Sequence, residues 1–192
     1  MAKLTITRAD FFASIQDMGR QRTQHLGLAQ SGVADEYSFF RANYLVGNAV
    51  TTPVIEIITG FFSITTDSPV TMALTGADMS ARVNNAPLSP WQSFVLMPGK
   101  VLELKNTTGM GIYCYLAVKG GFDIPLCFKS ASTVVRENLG GYHGRKLAAG
   151  DVLATILPRP LGPTLATPAD QIPQFDRPLR LRIMPGYDHD NF

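Results

Sequence analysis

Three observations predict a mainly β protein, a closed or nearly closed barrel carrying one helix. Short runs rich in β-branched and apolar residues recur along the chain, and Gly, Pro and Asn pairs separate them. One segment, after Asp35, repeats its apolar residues at the helical period instead.

The β runs are Leu4 to Thr7, Val54 to Ile58, Phe61 to Thr65, Val70 to Leu74, Ala81 to Val83, Phe94 to Met97, Val101 to Leu104, Ile112 to Val118 and Val152 to Ile156. Thr59-Gly60, Asn84-Asn85, Pro98-Gly99, Thr108-Gly109 and Gly150-Asp151 supply the turn chemistry between them. The helix is expected to start with Asp35 as cap, bury Phe39, Ala42, Leu45 and Val46, end at Gly47-Asn48 and plug an open barrel end. From Pro158 onward, prolines at 158, 160, 163, 168, 173 and 178 are too frequent for a helix or strand interior and predict an extended linker or surface strap. Leu179 to Met184 then alternates like a new strand. The expected organisation is a barrel domain over 1–157, a Pro-rich linker over 158–178 and the start of a second, truncated subdomain over 179–192.

The 192 residues suffice for one sizeable core without disulfide staples. With 45% apolar and 17% charged residues and a mean hydropathy of +0.07, the composition is that of a soluble globular protein on the apolar side. The net charge of +2 is spread without a Lys/Arg block, which argues against nucleic acid or anionic lipid as partners. Lys3, Arg8 and Asp10 interrupt the N-terminal region and no apolar stretch is long enough to span a bilayer, so the expected compartment is the cytoplasm. Cys114 alternates onto an apolar strand face and is expected in the core, and no His, Cys or carboxylate cluster has metal-ligand spacing.

Several polar groups are candidates for chemistry, each with a structural alternative. Gln16, Asp17 and Arg20 share a loop in which Arg20 clamps a carboxylate or phosphate while Asp17 orients it or takes a proton; the alternative is an internal salt bridge that locks the loop. His25 is a general acid or base, or an imidazole bonded to backbone. Asp78 leaves a strand through Gly76, either as a functional carboxylate or as the acceptor of an Asx turn. Lys119 with Gly120-Gly121, and Arg145 after Gly140-Gly141-Tyr142-His143-Gly144, either cradle an anion or are simple glycine turns. Neither is a phosphate-binding P-loop.

The pattern Ser14-Ile15-Gln16-Asp17-Met18-Gly19-Arg20, Gln24-His25-Leu26-Gly27, Ala42-Asn43-Tyr44-Leu45-Val46-Gly47-Asn48, Glu56-Ile57, Leu74-Thr75-Gly76-Ala77-Asp78, Pro90-Trp91, Tyr115 to Gly121 and Gly140 to Arg145 resembles the biotin-dependent carboxyltransferase or allophanate hydrolase subunit 2 family, to which the C component of bacterial 5-oxoprolinase belongs. The resemblance covers most of residues 3 to 157. It implies a cyclophilin-like β-barrel with one prominent α-helix. It implies one component of an ATP-dependent 5-oxoprolinase-type complex that opens 5-oxoproline to glutamate. Such a component is inactive alone and works with the A-like and B-like proteins of the oxoprolinase complex on a small amide substrate, with homo-oligomers also open. ATP is then used in the assembled complex. Under the alternative, biotin-dependent carboxyl transfer to urea, a biotin carrier takes its place; a further alternative is a non-catalytic regulator of a histidine kinase.

In that setting Arg20, Lys119 and Arg145 are the expected cations around the transferring group. Asp17, His25 and Asp78 orient or move protons, Gln16 joins the anion site, and Asn43 and Glu56 support them. Where the family shows glycine before Ser130 and arginine after it, this chain has Lys129 and Ala131, so a guanidinium expected beside Ser132-Thr133 is replaced.

Overall fold

The computed structural model describes residues 1–107, 109–157, 160–174 and 182–187. Its strands are β1 (Lys3–Ala9), β2 (Phe12–Gln16), β3 (Val54–Ile58), β4 (Phe62–Thr66), β5 (Val70–Gly76), β6 (Arg82–Val83), β7 (Ala86–Pro87), β8 (Gln92–Leu96), β9 (Val101–Leu104), β10 (Tyr113–Val118) and β11 (Val152–Ala154), with one α-helix, α1 (Glu36–Leu45). The mainly β class and the prominent helix stand. The closed barrel is corrected: the strands form two antiparallel sheets, ordered β11-β1-β4-β9-β6-β7 and β2-β3-β10-β5-β8, an arrangement compatible with a cyclophilin-like fold.

Strand periodicity explains how the second sheet works on both faces. Ile15, Ile55, Ile57, Cys114, Leu116, Met72 and Leu74 point inward to meet Leu4, Ile6, Ile64 and Leu102 of the first sheet. The intervening residues Val54, Ala73, Tyr115 and Ala117 point the other way, where Phe39, Ala42, Leu45 and Val46 of the helix segment cover them. The helix therefore lies on the outer face of the second sheet, against β5, β10 and β8, and does not plug a barrel end. It begins where expected, with Asp35 accepting from the Ser38 N–H at 3.1 Å.

β2 and the short β7 lie outside the runs that the sequence predicts. The register of β2 opposite β3 pairs Ser14 with Glu56 and Gln16 with Val54, so Ser14 and Gln16 are polar because they share the outer face with Glu56. The turn at Asn84-Asn85 joins β6 to β7 with both residues at positive φ, the left-handed pair that a two-residue hairpin requires.

Residues 160–172 run along the open edge at β8. The Thr71 N–H donates to the Pro160 carbonyl at 2.8 Å, Ser93 N–H to the Leu165 carbonyl at 2.7 Å, and Thr167 N–H to the Trp91 carbonyl at 2.8 Å. At the far end of this strap, the Tyr37 hydroxyl donates to the Gln171 carbonyl at 2.5 Å and Arg41 bonds the Gln171 side chain, which fastens the strap to α1. Thr108, Pro158, Pro178, the first half of the expected new strand, and the interval from 188 to 192 that includes His189 lie outside the described residues. No described helix is long and apolar enough to cross a membrane.

Candidate functional site

A cavity of about 310 Å³ opens where the start of α1 meets the end of β5 and the start of β10. Asp35, Ser38, Gly76, Asp78, Trp91 and Tyr113 line it, and Ala77, Met110, Gly111, Ile112, Pro173 and Gln174 complete its walls. Its volume sits at the lower end of the usual range for small-molecule sites.

Each lining group is fixed by local chemistry. Gly76 has φ 87°, and a Cβ there would overlap the Tyr113 carbonyl, so β5 can approach β10 only with glycine at its exit. Asp78 stands just beyond, exposed, with Oδ1 accepting from the Ser80 N–H at 2.8 Å. The Asx turn expected as its structural alternative is thus present, and Asp78 also lines the cavity. Trp91 has φ 64°, unusual for so bulky a residue, and is 8% exposed. Its N–H bonds the Leu74 carbonyl at 2.6 Å and its carbonyl accepts from Thr167, so the strap and β5 together hold the strained backbone. The indole lies 6.1 Å from the Tyr37 ring.

Asp35 is supported from behind. Its backbone N–H donates to the Tyr115 hydroxyl at 2.8 Å, and that hydroxyl donates to Glu56 Oε2 at 2.8 Å. The same oxygen accepts from the Ala34 N–H at 2.8 Å. Burial pushes the Glu56 carboxyl above its ordinary pKa, with the hydrogen bonds from Ala34 and Tyr115 opposing the shift. Thr75 Oγ1 donates to the Ser38 carbonyl at 2.7 Å and ties β5 to the first turn of α1.

The sequence-selected residues separate into distinct places. Asp78 lines the cavity and Glu56 reaches it through Tyr115 and Asp35. Asp17 does not pair with Arg20. Its oxygens accept from Gly19 N–H at 2.8 Å, and from Ser130 Oγ, Ala131 N–H and Ser132 Oγ at 2.6 Å each, stapling the β2 exit to loop 130–132. Gln16 donates to Ser14 Oγ and to the Thr133 carbonyl. Arg20 is fully buried and donates through Nη2 to the Ser132 carbonyl at 2.5 Å. His25 is exposed in a short 3-10 turn.

Asn43 holds the loop after α1 by donating to the Val50 and Thr52 carbonyls. Lys119 donates to the Val46 carbonyl at 3.1 Å, where the negative end of the helix favours a cation. Arg145 grips both oxygens of Asp151 at 2.7 Å and lies over the Tyr142 ring. The three cations therefore have three separate sets of partners. Lys129 has φ 64°, a left-handed conformation that glycine adopts without strain. Sequence reasoning missed Asp35, Trp91 and Tyr113 as site residues; the lone tryptophan following Pro90 was the available signal.

Chemically, the cavity offers two carboxylates, a serine, and aromatic walls, with no cationic side chain among its described lining. Such a surface accepts N–H donors and stacks flat groups. It does not fit the phosphates of ATP or a carboxylated biotin, whose negative charge the two carboxylates would repel.

The sequence profile described as carboxyltransferase domain, subdomain A and B, matches residues 26–192. The C component of the 5-oxoprolinase of Escherichia coli is 33% identical over 98% of this chain, and the putative urea carboxylase of Emericella nidulans is 34% identical over 98% of it. The chain spans 59% of the first protein and 15% of the second. The crystal structure of the K. lactis urea amidolyase superposes with a TM-score of 0.81 at 30% identity, over 91% of this chain and 11% of that one.

Proposed function

Since the chain belongs to the family of carboxyltransferase domains comprising subdomains A and B, we propose that it is the amide-binding module of a 5-oxoprolinase-type assembly, working with A-like and B-like oxoprolinase proteins in the ATP-dependent opening of 5-oxoproline. The observation that carries this reading is the cavity walled by Asp35, Asp78, Trp91 and Tyr113. A lactam ring is flat enough to stack on an aromatic wall, and its N–H finds an acceptor in a carboxylate. Asp78, on the rim, is the lining group best placed to hold that N–H while the carbonyl faces outward. Activation of the carbonyl by ATP, and the cation that balances the substrate's carboxylate, then come from the partner proteins.

A second reading is carboxyl transfer to urea. The absence of a cation among the described lining residues favours it, because urea is uncharged and presents only N–H donors and one carbonyl.

The test combines the chain with candidate A-like and B-like proteins, ATP and 5-oxoproline, and measures glutamate. A parallel reaction supplies urea with a biotin carboxylase and carrier. Glutamate release that falls at least tenfold in Asp78→Asn, with an unchanged thermal midpoint, supports the first reading. ATP-dependent urea carboxylation without glutamate supports the second, and equal turnover of Asp78→Asn removes the cavity from either.

A further inference from the structure

We propose that Tyr37, supported by Arg41, is a positioning residue that latches residues 168–174 onto the cavity and so sets its aromatic wall; the proposal rests on reading that cavity as the amide site. The strap reaches the cavity through a closed circuit of contacts. The Thr167 N–H donates to the Trp91 carbonyl at 2.8 Å, and the chain then passes through a 3-10 turn at Ala169–Gln171. The Tyr37 hydroxyl donates to the Gln171 carbonyl at 2.5 Å, and the Tyr37 ring returns to the indole at 6.1 Å. Trp91 is thus held twice, through its backbone by the strap and through its ring by the residue that fastens the strap. Pro173 and Gln174 follow directly and enter the cavity wall.

The attachment changes character at Thr167. Before it, the strap is bonded to the sheet at short intervals: the Pro160 carbonyl accepts from Thr71, the Gly162 N–H donates to Thr71 Oγ1 and the Leu165 N–H to Ser93 Oγ. Beyond it, among the described residues, the polar contacts to the rest of the molecule are those that Tyr37 and Arg41 make with Gln171. The Gln171 and Ile172 N–H groups bond Pro168 and Ala169, inside the turn itself. Residues 168–171, 173 and 174 are exposed. An exposed turn anchored at one residue opens at a lower free energy than the sheet beneath it. Arg41 stiffens that anchor: its Nε donates to the Tyr37 hydroxyl at 3.2 Å, and its guanidinium carbon lies 5.6 Å from the Tyr37 ring centre and 5.7 Å from that of Tyr44. A hydroxyl that accepts from Arg41 has its own proton directed at Gln171. Trp91, at φ 64°, keeps its conformation only while its surroundings impose it. Release of the latch therefore reaches the cavity twice, through loss of the Pro173 and Gln174 wall and through loosening of the indole.

The experiment uses the whole chain. Tyr37→Phe keeps the ring against Trp91 and removes the donor to Gln171. Tyr44→Phe is the control, the same chemical change two turns along α1 at a hydroxyl with no described bond to the strap. In Tyr37→Phe, amide hydrogen exchange over 165–172 is expected to be about fivefold faster and acrylamide quenching of Trp91 about twofold stronger, with the thermal midpoint within about 2 °C of wild type. Adding Arg41→Met is expected to enlarge both changes. The lactam 2-pyrrolidone is expected to slow exchange over the same segment in wild type, and to bind Tyr37→Phe about threefold more weakly. Exchange and quenching that are equal in wild type and Tyr37→Phe, or that rise equally in Tyr44→Phe, overturn the latch. So does a midpoint that falls with exchange rising alike in all strands, because Tyr37 is then a general structural residue. Changes in Tyr37→Phe without any response of wild type to 2-pyrrolidone uphold the latch and remove the amide reading, so the two failures are told apart.

Discussion

Tyr115 joins the buried carboxyl of Glu56 to the start of the helix, donating its hydroxyl proton to Glu56 and accepting the Asp35 N–H, both at 2.8 Å. Three elements, β3, β10 and the helix cap, meet through one phenol. The consequence is that the position of Asp35 in the cavity wall depends on groups that lie behind it.

Glu56→Gln tests the electrostatics of that relay. Burial raises the folded-state pKa of Glu56, so its protonated form is favoured on folding. The resulting stability is fully present below the ordinary carboxylate pKa near 4.5 and is lost as pH rises through the elevated folded value. Gln keeps an acceptor for Ala34 and Tyr115 without the buried charge. Differential scanning calorimetry should therefore place the variant at or above the wild type at pH 7, with the difference closing towards pH 4. A variant less stable than wild type at pH 7 and equal at pH 4 would reverse the sign and contradict the assignment.

Asp17→Ala removes four hydrogen bonds, one from Gly19 and three that staple the β2 exit to loop 130–132. Each buried donor left without a partner costs about 1–3 kcal/mol. Urea denaturation should show a loss of at least about 3 kcal/mol, and a loss below about 1 kcal/mol would mean that the staple is not closed in solution.

Arg145 and Asp151 form a pair in which the arginine is half-exposed, so Arg145→Ala should lower stability by only about 0.5–1 kcal/mol. The hydrogen bonds from Arg145 hold the Asp151 pKa below its usual 3.8. Stability from this group is present above that value and lost as pH falls through the lower folded one. Asp151→Asn should remove that part of the acid limb of the stability profile, and turnover in the assembled complex should stay within about twofold in Arg145→Ala. A tenfold fall in turnover would instead place Arg145 at the reaction centre.

Leu45 is 1% exposed and packs with Phe39 and Ala42 on the outer sheet face. Leu45→Asp buries an unpaired charge there and is expected to unfold the chain or lower its midpoint by more than about 10 °C. An unchanged midpoint in a thermal melt would refute the packing.

Much of this fold was readable because the helix and most strands carry their own local signals: Asp35 as cap, Phe39 and Leu45 at helical spacing, and the alternation of Ile112 to Val118 that places Cys114 inside. β2 was not, because Ser14 and Gln16 make it look like loop until Glu56 is known to share their face. Whether strands close into a barrel or stack as two sheets depends on edge pairing, which alternation does not encode. Asp78 was visible at a strand exit beyond Gly76. Asp35, Trp91 and Tyr113 were not, since they come together only when the start of α1, the strap and the end of β5 are assembled. Lys119 and Arg145 suggested anion loops because a glycine-flanked cation looks the same in sequence whether it meets a ligand or, as here, Val46 and Asp151.

Trp91 is the chain's lone tryptophan and lies in the cavity wall, so its fluorescence reports on that space without competing signal. Titration of the isolated chain with 2-pyrrolidone, the lactam without the carboxylate whose counter-charge the partners supply, and with urea as comparison, is predicted to change the emission saturably, with at least tenfold weaker binding in Asp78→Asn. Emission that stays constant up to tens of millimolar of both amides, or that responds identically in Asp78→Asn, would contradict the assignment of this cavity to the amide.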